Sequence, residues 1–176
     1  MNKKIILSKF VKKFSKKQII TLKDLRELKN QNISTEYFLD FLNKKYKYFF
    51  HGSTTSVKLD ENIKGEGKIF LTNNSSIAIL KALFSNKNAA LNYPYFIDKK
   101  HPLKLIIEKR NGYTKEKTIL KKGYVYVMFP PIKIKNEPRK SWQYIIEKNT
   151  KIGIPFLKKI EIEKKDFLYL VKIKNK

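Results

Sequence analysis

Apolar residues recur at helical spacing along the first third of the chain. In "LSKFVKKF" Leu7, Phe10, Val11 and Phe14 fall on one face, and "TLKDLRELKN" opens on a threonine cap and repeats Leu22, Leu25 and Leu28. "STEYFLDFLNKKY" starts from a Ser34 cap and aligns Phe38, Leu39 and Leu42. Three short helices with brief polar links are therefore expected before residue 48. After that point the pattern shortens to strands: "KYFF" running into His51, "KIFLT" at 68–72, then "PLKLIIEK", "GYVYVMF", "FLKKIEIE" and "FLYLVKIK", rich in β-branched and aromatic residues. One helix interrupts them. "NSSIAILKALFSN" begins with Asn74 or Ser75 as cap and is apolar on nearly every side, so it should be buried against a sheet. Strands with a single buried helix imply an α+β domain with a largely antiparallel sheet. The expected division is a helical segment over 1–47 and an α+β domain over 48–176.

Composition narrows the function. At 176 residues with 41% hydrophobic and 13% aromatic residues, the chain has enough apolar material for a core despite 31% charge. It has no cysteine, which excludes disulfides and thiolate chemistry, and only two histidines, far apart, which argues against zinc. No apolar stretch approaches the roughly 20 residues of a membrane span, and the basic start lacks a signal-peptide core. An intracellular, cytoplasmic protein without a membrane partner is expected.

The formal net charge of +25 would draw the chain toward nucleic acid or acidic proteins. Of the 40 basic residues, however, only Arg26, Arg110 and Arg139 are arginine, and phosphate or base recognition favours the guanidinium fork. Lysine excess with abundant Asn and Ile fits a coding bias toward A and T. The charge is uneven: 13 basic and 4 acidic residues over 1–47, 5 and 3 over 48–95, 22 and 8 over 96–176. The nearly neutral middle is a candidate core or cleft. The three N-terminal helices could form a helix-turn-helix, but a reading helix needs basic residues at its start, and the third carries Glu36 and Asp40 there. Packing and DNA reading both remain open for that segment.

Chemistry concentrates in "YFFHGSTTS". A glycine beside His51 lets a ligand approach the backbone, an imidazole can donate from one nitrogen while the other is held, and an aromatic nearby offers a stacking face. His101, before Pro102 in a basic stretch, reads as a surface residue. In order along the chain, "YFFHGS", "GKIFLTNNSSIA" and "SWQYII" resemble motifs of the ADP-ribosyltransferase superfamily, in particular the branch with poly(ADP-ribose) polymerases and RNA 2'-phosphotransferases. The resemblance spans roughly residues 48 to 173. It implies a split antiparallel sheet with a buried helix and NAD as substrate or ligand. By that resemblance His51 would contact a ribose 2'-hydroxyl, Gly52 and Ser53 would hold the carboxamide, and Phe70 would stack on nicotinamide. Thr72 and the helix start from Asn73 to Ala78 would line the cleft.

The family's third strand carries a glutamate that offsets positive charge in the oxocarbenium-like state, and here Gln143 takes that place. An amide keeps the hydrogen bond and loses the charge, a change of the kind that costs on the order of 10² to 10³ in rate. Glu137 lies before Pro138 in an expected loop. Glu147 shares the strand face of Gln143 but stands roughly 13 Å further on. The sequence thus leads to an NAD-binding or ADP-ribosyl-transferring domain acting on a protein or nucleic-acid acceptor, with catalysis weakened at Gln143. The alternative is a noncatalytic basic nucleic-acid-binding or scaffold protein.

Overall fold

A computed structural model describes residues 2–65, 67–84, 95–98, 104–109, 119–130, 135–137, 140–147 and 151–175. At 95–98, 104–109, 135–137, 140–143 and 170–175 only the backbone is described. The elements run α1 (Lys3–Lys13), β1 (Ile19–Ile20), α2 (Leu22–Lys29), α3 (Thr35–Tyr46), β2 (Phe49–Ser53), β3 (Ile69–Leu71), α4 (Ser75–Leu83), β4 (Tyr95–Asp98) and β5 (Lys104–Lys109). Then follow β6 (Lys122–Met128), β7 (Lys135–Glu137), β8 (Lys140–Ile146), β9 (Lys158–Glu163), a 3-10 turn (Lys164–Asp166) and β10 (Leu170–Asn175). The class is α+β, with mixed sheets that are largely antiparallel. Among the described residues no helix is long and apolar enough to cross a membrane.

Each helix starts where a short polar side chain can satisfy an orphan backbone N–H. Asn2 accepts from Lys4 N, Ser34 from Tyr37 N and Asn74 from Ile77 N. Thr21 and Asp24 form a reciprocal capping box. The third helix stops at Lys47, which takes a left-handed conformation (φ 58°) and turns the chain into β2.

The main sheet has the order β1-β9-β6-β2, with β1 parallel to β9 and the other pairs antiparallel. A second sheet, β3-β8-β7, meets it through one antiparallel bridge, in which Phe50 and Thr72 exchange both backbone hydrogen bonds at 2.8 Å. The third, β10-β5-β4, contains a parallel pair, β10 with β5. Three stretches escape the sequence pattern: the two-residue β1, too short to show a period, and the short strands β4 and β7, the last including Glu137, which was expected in a loop.

Alternation gives the main sheet two covered faces. On one, Phe50, Val125, Val127, Ile160 and Ile162 pack under α4, whose Ile77, Ile79, Leu80 and Leu83 are all buried. Burial of side chains this size stabilises by roughly 1.5–3 kcal/mol each. On the other face Tyr126 and Met128 join Ile63, Ile69, Leu71 and Ile146.

The core does not divide at residue 47. Leu7, Phe10, Phe14, Leu25, Leu28, Phe38, Leu39 and Leu42 belong to the same apolar cluster as Phe50, Leu80 and Ile160. Backbone pairing of Ile19 and Ile20 with Lys159 and Ile160, and a buried Thr35 to Asp166 hydrogen bond of 2.6 Å, tie the segment in further. The expected helical appendage is one layer of a shared core.

Candidate functional site

The β2 register decides where each motif residue goes. His51 pairs with Tyr126 and Ser53 with Tyr124, so these side chains share the face opposite α4. Phe50 and Gly52 occupy the helix side.

His51 sits where the two sheets part. Thr72 directs its N–H and carbonyl to Phe50, so Phe70, two residues back, directs its own polar groups the same way, and the next ladder bond would come from Gly52. Instead the His51 Nδ1 lies 2.8 Å from the Phe70 carbonyl. A carbonyl only accepts, so Nδ1 carries the proton and, in the neutral ring, Nε2 is an acceptor. Among the described residues Nε2 has no hydrogen-bond partner. Burial holds the imidazole pKa below its ordinary value, against the opposing pull of the Phe70 carbonyl. The ring is half-buried, 6.2 Å from Tyr126, on a surface continued by Phe49 against Tyr144 and Tyr126 against Phe156, each pair at 4.9 Å.

Gly52 makes room for the packing of α4. A Cβ there would fall on the Ala78 carbonyl and within 2.7 Å of Ala82 N, so the missing side chain makes room for α4. Gly123 repeats the device, since its Cβ would fall on the Ala82 carbonyl. The approach that Gly52 permits is that of a helix, not of a ligand on the His51 side.

Ser53 is engaged locally. Its Oγ accepts from Thr55 N at 3.2 Å and lies 3.0 Å from Thr55 Oγ1, which folds "STTSV" back over the sheet. Two side chains hold this loop: the Tyr126 hydroxyl donates to the Thr55 carbonyl (3.0 Å) and accepts from Val57 N (2.7 Å), and Lys159 donates to Ser56 Oγ (3.1 Å) and the Val57 carbonyl (2.9 Å). Lys159 is only 7% exposed, and its ammonium lies 5.7 Å from the Tyr124 ring. Both residues were missed in the sequence, where Tyr126 reads as an apolar strand position and Lys159 as the solvent-facing partner of Ile160. The loop they hold lies 69 to 71 residues from Tyr126 and 102 to 103 from Lys159 in sequence.

Phe70 does not join His51 through its ring. It shares the helix side with Thr72 and Phe50, is 44% exposed, and meets His51 through its carbonyl alone. On β3 the residues facing the His51 side are Ile69 and Leu71. Thr72 is buried, and its Oγ1 accepts from Asn74 N at 3.0 Å, so it shapes the turn into α4.

The start of α4, expected to line the cleft, is occupied by the protein's own carboxylates. Ser75 donates to Asp40, Ser76 donates to Glu36 at 2.5 Å, and the Tyr169 hydroxyl donates to Glu36 at 2.7 Å. Two carboxylates at a helix N-terminus satisfy its partial positive charge and would repel an added phosphate.

Gln143 lies within β8 beside Tyr144, whose partner is Leu71, while its side chain is outside the described part of the structure. Glu147 follows the end of β8, exposed, with Lys68 at 4.0 Å. His101 lies outside the described residues. Among the described residues no three His, Asp or Glu side chains gather as metal ligands. Comparison of the chain with protein-family models, with curated proteins and with solved structures finds no match.

Proposed function

We propose that this protein binds NAD or an ADP-ribosyl group, with His51 as the contact to a ribose hydroxyl and with transfer chemistry weakened or lost at Gln143. The observation that carries this reading is the imidazole itself. Its Nδ1–H is anchored on the Phe70 carbonyl, its pKa is held down by burial, and Nε2 is left as an unpartnered acceptor at the parting of β2 and β3. A ribose hydroxyl is a donor that suits it. The resemblance of "YFFHGS" and "GKIFLTNNSSIA" to the ADP-ribosyltransferase motifs supports the ligand class and the split-sheet fold. The contacts beyond His51 differ from those the resemblance implies. A ring stacking on this face would use Tyr124, half-buried beside Ser53, rather than Phe70, and Ser53 would exchange its Thr55 contact for the ligand.

Thermal unfolding with millimolar NAD or ADP-ribose tests the binding. A ligand at 100 times its dissociation constant adds about 2.7 kcal/mol, and the gain should vanish in His51→Ala and survive in Phe70→Ala. No stabilisation by either ligand sinks the reading. For transfer, Gln143→Glu should raise the rate of nicotinamide release. If both Gln143→Glu and His51→Ala are silent in every NAD turnover assay, binding without catalysis is what remains.

A further inference from the structure

The four acidic residues of the first 47 all have partners within the chain. Asp24 pairs with Lys17 and Glu27 with Lys13, while Glu36 and Asp40 turn toward the hydroxyls at the start of α4. That arrangement leaves the lysines between α1 and α3 without a counterion. Lys3, Lys4, Lys44 and Lys45 make no ion pair among the described residues. Lys4, Lys44 and Lys45 line a groove of about 520 Å³ together with Tyr37 and Phe41, with Asp40 on its wall. Tyr37 is 41% exposed. Lys3 Nζ stands 5.5 Å from the Tyr37 ring, and Lys45 Nζ stands 5.3 Å from Phe41 and 5.4 Å from Tyr46 while donating to Ser8 Oγ at 3.2 Å. The neighbouring groove between α1 and α2 differs, because Lys13 there is neutralised by Glu27 at 2.7 Å.

We propose that the α1–α3 groove is a docking surface for single-stranded nucleic acid. Uncompensated ammonium groups follow a phosphate backbone, and the exposed Tyr37 ring among them, beside the half-buried Phe41, gives a base a face to stack on, which is the chemistry of strand binding without sequence readout. A helix-turn-helix mode does not fit, since the first half of α3 carries acids turned into α4, Glu36 and Asp40, and its lysines stand at the other end. Duplex binding lacks a use for the rings. The groove is separate from the His51 face, so the proposal stands or falls independently of the NAD reading.

The test is fluorescence anisotropy of a labelled 12-nucleotide dT strand, an rU strand and a duplex of equal length, each at two salt concentrations. Both single strands should bind more tightly than the duplex, and the difference between dT and rU states which is preferred. Lys44→Glu with Lys45→Glu should weaken strand binding about tenfold at low salt and lower the slope of log K against log salt by about 1.4, two phosphate contacts at 0.7 each. The same charge reversal at exposed Lys64 and Lys151 is the matched control and should cost far less. Tyr37→Ala should lose at least about fivefold at unchanged net charge, with Tyr37→Phe restoring it. Equal losses from the two charge reversals, or a silent Tyr37→Ala in a folded variant, overturn the proposal. So does binding of phosphatidylserine vesicles that depends on these lysines when the oligonucleotides do not bind.

Discussion

At the scale of a residue, His51 shows how one hydrogen bond settles a chemical role. The Phe70 carbonyl fixes the tautomer, and burial favours the uncharged ring. The depressed pKa has a consequence for stability. The unfolded chain takes up a proton as pH falls through about 6.5, whereas the folded ring resists until its own lower pKa. The stability linked to His51 is therefore complete above about 6.5 and is lost as pH falls toward the folded-state value. Between pH 7.5 and 5 the melting temperature should fall more in the natural protein than in His51→Gln. Parallel curves would show that the ring titrates normally. The sequence made His51 conspicuous because it is one of two histidines and ends a strand before a glycine. What it left hidden was the partner, since a backbone carbonyl has no signature in sequence.

At the scale of elements, α4 and the main sheet approach so closely that two strand positions can hold no side chain. Gly123→Ala would push a Cβ onto the Ala82 carbonyl, which is backbone and cannot rotate away. Overpacking of this kind costs about 1–3 kcal/mol or more, so the free energy of unfolding should drop by that amount, read as a lower denaturant midpoint at unchanged slope, and Gly52→Ala should do the same. A wild-type midpoint in both would mean that α4 rides higher than described. The helices, the buried character of α4 and five of the longer strands, β2, β5, β6, β9 and β10, are all legible in the apolar pattern, because burial imposes periods of 3.6 and 2. Which residues meet the start of α4 is not. Glu36 and Asp40 look like ordinary surface acids of α3, and only the packing of α3 on α4 turns them into partners of Ser75 and Ser76.

At the scale of the molecule, the helical segment is structural. Without residues 1–47 the helix-side face of the main sheet loses Phe10, Phe38, Leu39 and their neighbours, and β9 loses its partner β1. The buried Asp166, held by Thr35 and by Lys29 at 2.8 Å, would be left without either. A chain starting at residue 48 should therefore show no cooperative thermal unfolding by near-ultraviolet circular dichroism, even in high salt, which screens the repulsion of the remaining positive charge. A sharp transition in that truncated chain would restore the boundary at 47 as a true domain seam. The boundary at 47 rests on a change of hydrophobic period, which marks a change of element type, and elements of different type share one core as readily as they form two.

The sequence by itself determined the class of fold, the caps, most of the strands and the excess of positive charge, since these depend on local spacing, side-chain chemistry and composition. It also singled out His51 and the region around it. Tertiary structure alone decided that Gly52 serves a helix, that Phe70 turns its ring away from the imidazole and offers its carbonyl, and that Tyr126 and Lys159 hold down the serine and threonine loop. It decided, too, that the acids of α3 face inward and leave lysines and rings along the α1–α3 groove. Each of these depends on which face of a strand or helix meets which neighbour, and that is fixed by register and packing between residues far apart in the chain.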